Sequence, residues 1–220
     1  MVKAMAKSKV SIVSHKASAE ARQRAHKLIS DIRSHKAIAG KYKFFCVPIG
    51  SQKRRCIVQD KNGKYDLDFQ LVLTKKSKAG DLDPTQIKKD FWRAFTDYAN
   101  QNEKVEDSTT VVTVRASKNA GRFDTKFEKF SFDFVIISID GEKRIKRNGL
   151  SQYTWVQLPI KNSHIYEAFR ELSKPEQREV LENHLLPLII VEKEKDESLR
   201  LPTIELFYQE TQNYIRRKGK

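Results

Sequence analysis

The chain has 220 residues, 39% of them hydrophobic and 32% charged, which is enough apolar material for one generous domain with a helical appendage. Its longest apolar run, Leu185–Val191, is broken by Pro187 and falls short of the roughly 18 residues that span a bilayer, so a helical membrane protein is excluded and a soluble one expected. The formal charge of +15 favours a polyanionic partner such as nucleic acid or nucleotide phosphates, while two cysteines, Cys46 and Cys56, without a CxxC pair argue against a disulfide framework or zinc site and for a reducing cytoplasm.

Residues 1–17 read as a flexible basic lead-in. Residues 1–43 hold eleven Lys or Arg against Glu20 and Asp31. Ser18 is placed to cap a helix from Ala19 to Lys36 whose apolar stripe is Ala21, Ala25, Leu28, Ile29 and Ile32. Tyr42–Val47 is a strand that stops at Pro48-Ile49-Gly50-Ser51. A turn at Asp60-Lys61-Asn62-Gly63 leads into the alternating segment Lys64–Thr74. There Tyr65, Leu67, Phe69, Leu71 and Leu73 share one face, and Asp66, Asp68 and Gln70 the other. Asp83-Pro84 starts a helix with Ile87, Phe91, Ala94, Phe95 and Tyr98 at helical spacing; Trp92 is read with its core. Strands follow over Thr109–Ala116 and Lys126–Ile139, the second with Phe130, Phe132, Phe134 and Ile136 opposite Ser131, Asp133 and Val135. Asp140-Gly141 turns a hairpin into Lys143–Arg147. Helices are expected over 163–172, 176–194 and 203–217. The pattern is that of an α+β, or mixed α/β, chain: a basic N-terminus (1–17), a catalytic domain with a mixed sheet flanked by helices (18–160) and a short helical C-terminal part (161–220).

Two carboxylates at i and i+2 on a strand point the same way, about 6–7 Å apart along the chain. Side by side they repel unless a cation lies between them, and Mg²⁺ suits such oxygen sites completed by water and phosphate. Two ions about 3.5–4 Å apart serve an in-line displacement at phosphorus. Asp133, on the polar side of its own strand, is the candidate third ligand beside Asp66 and Asp68. Standing alone, a D-x-D is more often two polar residues facing water. Here the opposite face is wholly apolar, and Gly50-Ser51 precedes the pair after another apolar strand. Gly50 permits close approach of backbone to a phosphate; Ser51 adds a hydroxyl, and Lys53, Arg54 and Arg55 add charge. Neither GxxxxGK[ST] nor GxGxxG occurs, which disfavours P-loop and Rossmann chemistry.

Ile49-Gly50-Ser51, then Asp66-Leu67-Asp68 on an apolar strand, then Phe132-Asp133-Phe134-Val135-Ile136 resembles the DNA polymerase β-like nucleotidyltransferases. Within these it is most similar to the oligoadenylate synthetase, cyclic GMP-AMP synthase and bacterial cyclic-oligonucleotide synthase branch, over roughly residues 20–170. Trp155-Val156-Gln157-Leu158-Pro159 resembles that branch's segment after its third acid. The resemblance implies an enzyme that moves a nucleoside monophosphate from an NTP to a hydroxyl acceptor, a nucleotide or an RNA end, with release of pyrophosphate. It implies that Gly50 and Ser51 hold the triphosphate, that Asp66 and Asp68 bind both Mg²⁺ (or Mn²⁺) ions, and that Asp133 binds the ion next to the attacking hydroxyl. Arg55-Cys56 stands where the family often has a Thr, and the C-terminal part is short for a cyclic-oligonucleotide synthase, which leaves the product type open.

The competing reading is a non-catalytic, basic nucleic-acid-binding module on the same fold, although a polyanion binder gains nothing from clustered acids. Asp124 and Asp140 are the alternatives to Asp133 as third ligand. Tyr153 and Trp155 are read either as base-stacking platforms or as core. His15, His26, His35, His164 and His184 lack metal-ligand spacing and read as surface or capping residues.

Overall fold

The computed structural model describes residues 11–14, 16–53, 57–60, 63–74, 83–116, 130–149, 152–158, 163–195, 201 and 203–219. Two strands of strict apolar alternation, β4 (Tyr65–Leu73) and β7 (Phe130–Ile137), lie side by side and parallel at the middle of a seven-stranded mixed sheet. Around them the order is β2 (Phe44–Pro48), β4, β7, β6 (Val111–Ala116), β5 (Glu103–Asp107). β8 (Lys143–Arg147) joins β7 through Ile137 and Arg144 and carries β9 (Tyr153–Gln157). Every pairing except β4–β7 is antiparallel. A separate short ladder pairs β1 (Ser11–Ile12) with β3 (Val58–Gln59).

Helices α1 (Ala19–Ser34) and α3 (Pro84–Tyr98) cover one face of the sheet. The expected stripe of α1, from Ala21 to Ile32, is buried throughout, although the helix stops at Ser34 rather than Lys36. Asp83 caps α3 by accepting from the N–H groups of Thr85 (3.0 Å) and Gln86 (3.2 Å). Between helix and sheet the aromatic rings stack in series: Phe95 on Phe134 at 4.4 Å between centroids, and Phe134 on Phe69 at 5.4 Å. Each ring buried this way is worth about 2–3 kcal/mol by area, plus a smaller stacking gain. Arg24 of α1 forks onto the Glu103 carboxylate and also donates to the Tyr98 carbonyl, tying α1 to both β5 and the end of α3.

Several expectations are corrected. Trp92 faces outward at 39% exposure, while Phe91 and Phe95 are fully buried. His35 is the capping residue at the end of α1, one of the two roles expected for it, but it is buried, with Nε2 2.8 Å from Asp97 Oδ2. β5 and β9 were not expected as strands; β5 is charged throughout except for Val105, which hides its pairing with β6. The strand expected over Lys126–Ile139 is β7, which ends at Ile137, two residues short of the expected end, with residues 126–129 outside the described residues.

The C-terminal helices are α4 (Ser163–Glu171), α5 (Lys174–Glu179), α6 (Leu186–Glu194) and α7 (Thr203–Arg217). α5 starts at a Ser173–Glu176 capping box, two residues earlier than expected. Between α5 and α6 the chain winds as a π-helix over Val180–Leu185, where a single helix was expected. Pro187 explains the break, since it lacks an N–H and crowds the preceding turn, and the Leu186 N–H bonds five residues back to the Leu181 carbonyl. Leu185, Leu186, Ile189, Leu206 and Phe207 form a second apolar cluster around Val58 of β3. Among the described residues no helix is long and apolar enough to cross a membrane.

Lys88 of α3 is buried at 1% exposure among the sheet residues. Its Nζ donates to the Val111 carbonyl at 2.6 Å and lies 3.4 Å from Asp107 Oδ1, an ion pair rather than a well-formed hydrogen bond. Arg147 (2.9 Å) and the Tyr153 hydroxyl share the other oxygen of Asp107. Burial brings the Lys88 ammonium down from 10.5 to about 8, against the opposing pull of Asp107. Between those values the unfolded chain holds a proton that the folded chain has released, so this group makes stability rise with pH in that window. Urea unfolding of wild type and Lys88→Met near pH 8 and near pH 10 measures it. Wild type should gain up to about 3 kcal/mol relative to the variant across the window, and parallel pH curves would refute the assignment.

Candidate active site

The face of the sheet opposite α1 and α3 carries the acids. Asp66 and Asp68 lie on β4 with their apolar neighbours turned into the core, and the parallel register sets Asp68 directly opposite Asp133 of β7. Neighbouring strands are about 4.8 Å apart, so the Cα atoms of Asp68 and Asp133 stand closer than those of the i, i+2 pair within β4. Asp66 is paired with Ser131, whose Oγ donates to its Oδ1. Asp133 is half-buried, and Thr113 of β6, its antiparallel partner, donates to Oδ1 at 2.6 Å. Burial raises the Asp133 carboxyl above the usual carboxylate range and the charge of Asp66 pushes the same way, while the Thr113 hydrogen bond and Lys88 oppose the shift.

Gly50 stands at the start of α2 (Gly50–Lys53), immediately against Asp68. Its φ of +61° lies in the left-handed region, and a Cβ there would overlap Asp68 Oδ2 and lie 3.2 Å from Cγ. Two requirements thus coincide at one residue, backbone handedness and room for the carboxylate. The loop is fixed to the strand by the Ile49 N–H, which donates to the Asp68 carbonyl at 2.9 Å. Gly50, Ser51, Asp66, Asp68 and Asp133 are therefore gathered at one end of the exposed sheet face. Lys53 ends α2 with an exposed side chain, and Arg54, Arg55 and Cys56 lie outside the described residues.

Of the alternatives for a third acid, Asp140 sits in the β7–β8 hairpin turn, where its Oδ1 accepts from the Glu142 N–H at 2.9 Å and from the Ser138 hydroxyl. That is the other end of β7 from Asp66. Asp124 lies outside the described residues. Tyr153 is no stacking platform: it is buried in the core cluster with its hydroxyl on Asp107, and Trp155 packs against the same cluster. Sequence reasoning missed Thr113 and Ser131. Their alternation with buried Val112, Val114, Phe130 and Phe132 puts them on the polar face, but only the pairing register shows which acid each one meets.

The donor set is all carboxylate, suited to a hard cation such as Mg²⁺, and the place a Cβ would take at Gly50 is filled by the Asp68 carboxylate, which only glycine admits there. As the side chains stand, no three acidic, His or Cys groups among the described residues close into a cation cage. Asp66 and Asp133 are each turned to a neighbouring hydroxyl.

No protein-family model and no curated protein matches the sequence. Solved structures do. The Elizabethkingia meningoseptica cyclic dinucleotide synthase CdnE, solved with GTP and Apcpp, superposes with a TM-score of 0.56 at 13% identity, over 90% of this chain and 75% of its own. CdnC of E. coli MS115-1, in complex with HORMA-deltaN, gives 0.54 at 14% identity over 95% of this chain and 62% of its own. The Bradyrhizobium diazoefficiens CD-NTase CdnG, solved with GTP, gives 0.52 at 16% identity over 72% and 42%. The fold is that of the CD-NTases. At these identities the likeness is one of fold, and it bears out the fold that the nucleotidyltransferase resemblance implies. The chain spans less than half the length of CdnG.

In a CD-NTase fold the fit of Gly50 against Asp68 is open to a direct test. Gly50→Ala forces a side chain into left-handed backbone and into the carboxylate. It should cost about 1–3 kcal/mol in urea unfolding, and an unchanged midpoint would show that the loop relaxes freely.

Proposed function

We propose that the chain is a nucleotidyltransferase using Mg²⁺ or Mn²⁺, which joins the α-phosphorus of an NTP to an acceptor hydroxyl. The observation that carries the reading is the β4–β7 register: Asp68 stands opposite Asp133, Asp66 lies two residues away on the same face, and Gly50 closes over Asp68. Clustering three acids on one sheet face has a cost that a divalent cation would relieve, and that cation would in turn attract a triphosphate. In this reading Asp66 and Asp68 hold both ions and Asp133 holds the one nearer the acceptor. Divalent ions bound there would neutralise phosphate charge and acidify the acceptor hydroxyl. The backbone of Gly50 and the hydroxyl of Ser51 receive the triphosphate, Lys53 at the end of α2 supplies charge, and Arg55, two residues on in the sequence, is proposed to add to it. The acceptor oxygen forms a bond to the α-phosphorus as the bond to the β-phosphate oxygen breaks, so pyrophosphate leaves and the hydroxyl proton passes to water.

Proteins of this fold whose structures were solved with GTP, one of them termed a cyclic dinucleotide synthase, support a nucleotide as the acceptor, giving a linear or cyclic oligonucleotide. Product formation from each labelled NTP with Mg²⁺ or Mn²⁺, with and without RNA, tests the proposal. Wild type should yield labelled product and pyrophosphate, and the Asp66→Asn/Asp68→Asn variant should lose about 10³-fold or more, roughly 4 kcal/mol of barrier. Asp133→Asn should fall similarly while Asp140→Asn keeps its rate. Salt-dependent nucleic-acid binding that ignores all of these changes, without turnover, would favour the non-catalytic module instead.

A further inference from the structure

The two oxygens of Asp133 are treated differently by their surroundings. Oδ1 accepts the Thr113 hydroxyl at 2.6 Å. The hydroxyl of Ser108 lies 3.4 Å from the same Thr113 oxygen. A hydroxyl has one proton to give; with that of Thr113 committed to the carboxylate, Ser108 is left as the donor to Thr113. Ser108 belongs to the turn between β5 and β6, which its N–H closes onto the Val111 carbonyl at 3.1 Å. From the helix side Lys88 grips the same turn, donating to the Val111 carbonyl at 2.6 Å and reaching the Ser108 carbonyl at 3.4 Å. A continuous path therefore runs from a buried ammonium through a clamped turn and two hydroxyls to a single carboxylate oxygen.

A carboxylate held by a hydrogen bond at one oxygen is restrained from rotating to present both oxygens equally to an ion. Mg²⁺ sites demand near-ideal octahedral geometry, and partners that orient a ligand typically account for 10–100-fold in metal affinity. We propose that Thr113 is the positioning residue of Asp133, holding Oδ1 so that only Oδ2 is presented to a divalent cation, with the Lys88-clamped turn fixing where Thr113 stands. The inference rests on Asp133 being a cation ligand, as in the function proposed above.

The test is Mn²⁺ binding to the full chain, followed by the loss of the free-ion EPR signal, with the urea midpoint recorded for each variant. Thr113→Val, which keeps the shape and removes the hydroxyl, should raise the Mn²⁺ dissociation constant about 10-fold. Thr113→Ser should restore it, and kcat should fall with Thr113→Val while KM for the NTP holds. If Thr113→Val does not fold, Thr113→Ala provides the same comparison. Wild-type Mn²⁺ affinity in the hydroxyl-free variant overturns the proposal. Asp133→Asn separates the two failures: if it loses Mn²⁺ while Thr113→Val does not, only the positioning role falls. If Asp133→Asn binds Mn²⁺ like wild type, Asp133 is no ligand and both readings fall.

Discussion

Like charges on adjacent strands repel, and the β4–β7 pairing places Asp68 and Asp133 opposite one another regardless. What holds them there is the other side of the same two strands. Leu67, Phe69 and Leu71 of β4 meet Phe132, Phe134 and Ile136 of β7 with almost no exposure, and α3 lays Phe91 and Phe95 across them. A slip of one residue in either strand would turn acids into the core and rings into water. The carboxylates are thus held by a register that hydrophobic burial enforces from behind, and the site costs the fold only what that burial readily offsets.

Much of this was legible in the alternation alone. Tyr65–Leu73 and Phe130–Ile137 show by their period which residues are inside, so Asp66, Asp68 and Asp133 could be assigned to a common kind of face before any pairing was known. The pairing itself was not legible. Parallel direction and register join residues about 65 positions apart, and no local pattern encodes that. For the same reason Thr113 and Ser131 read as ordinary polar positions until the ladder put each of them against an acid.

Other features that the sequence hides have a different origin, in side chains whose environment contradicts their type. Lys88 adjoins Ile87 on an amphipathic helix and would ordinarily reach water, yet the turn carbonyls and Asp107 draw it inward. Trp92 adjoins Phe91 and would ordinarily pack, yet the helix period turns it outward. The π-helical stretch before Pro187 is of this kind as well: composition alone reads as one helix, and only the missing N–H of one residue shifts the winding.

The backbone bond from Ile49 to the Asp68 carbonyl has one more consequence. It couples the proposed phosphate-binding loop to the very residue whose side chain that loop covers. Loop and strand then behave as one mechanical body rather than as a flap over a fixed floor. A ligand arriving here would meet a preformed corner, with little ordering entropy to lose on the protein's side, and adjustment would fall to the side-chain torsions of Asp66 and Asp68 instead of to the main chain.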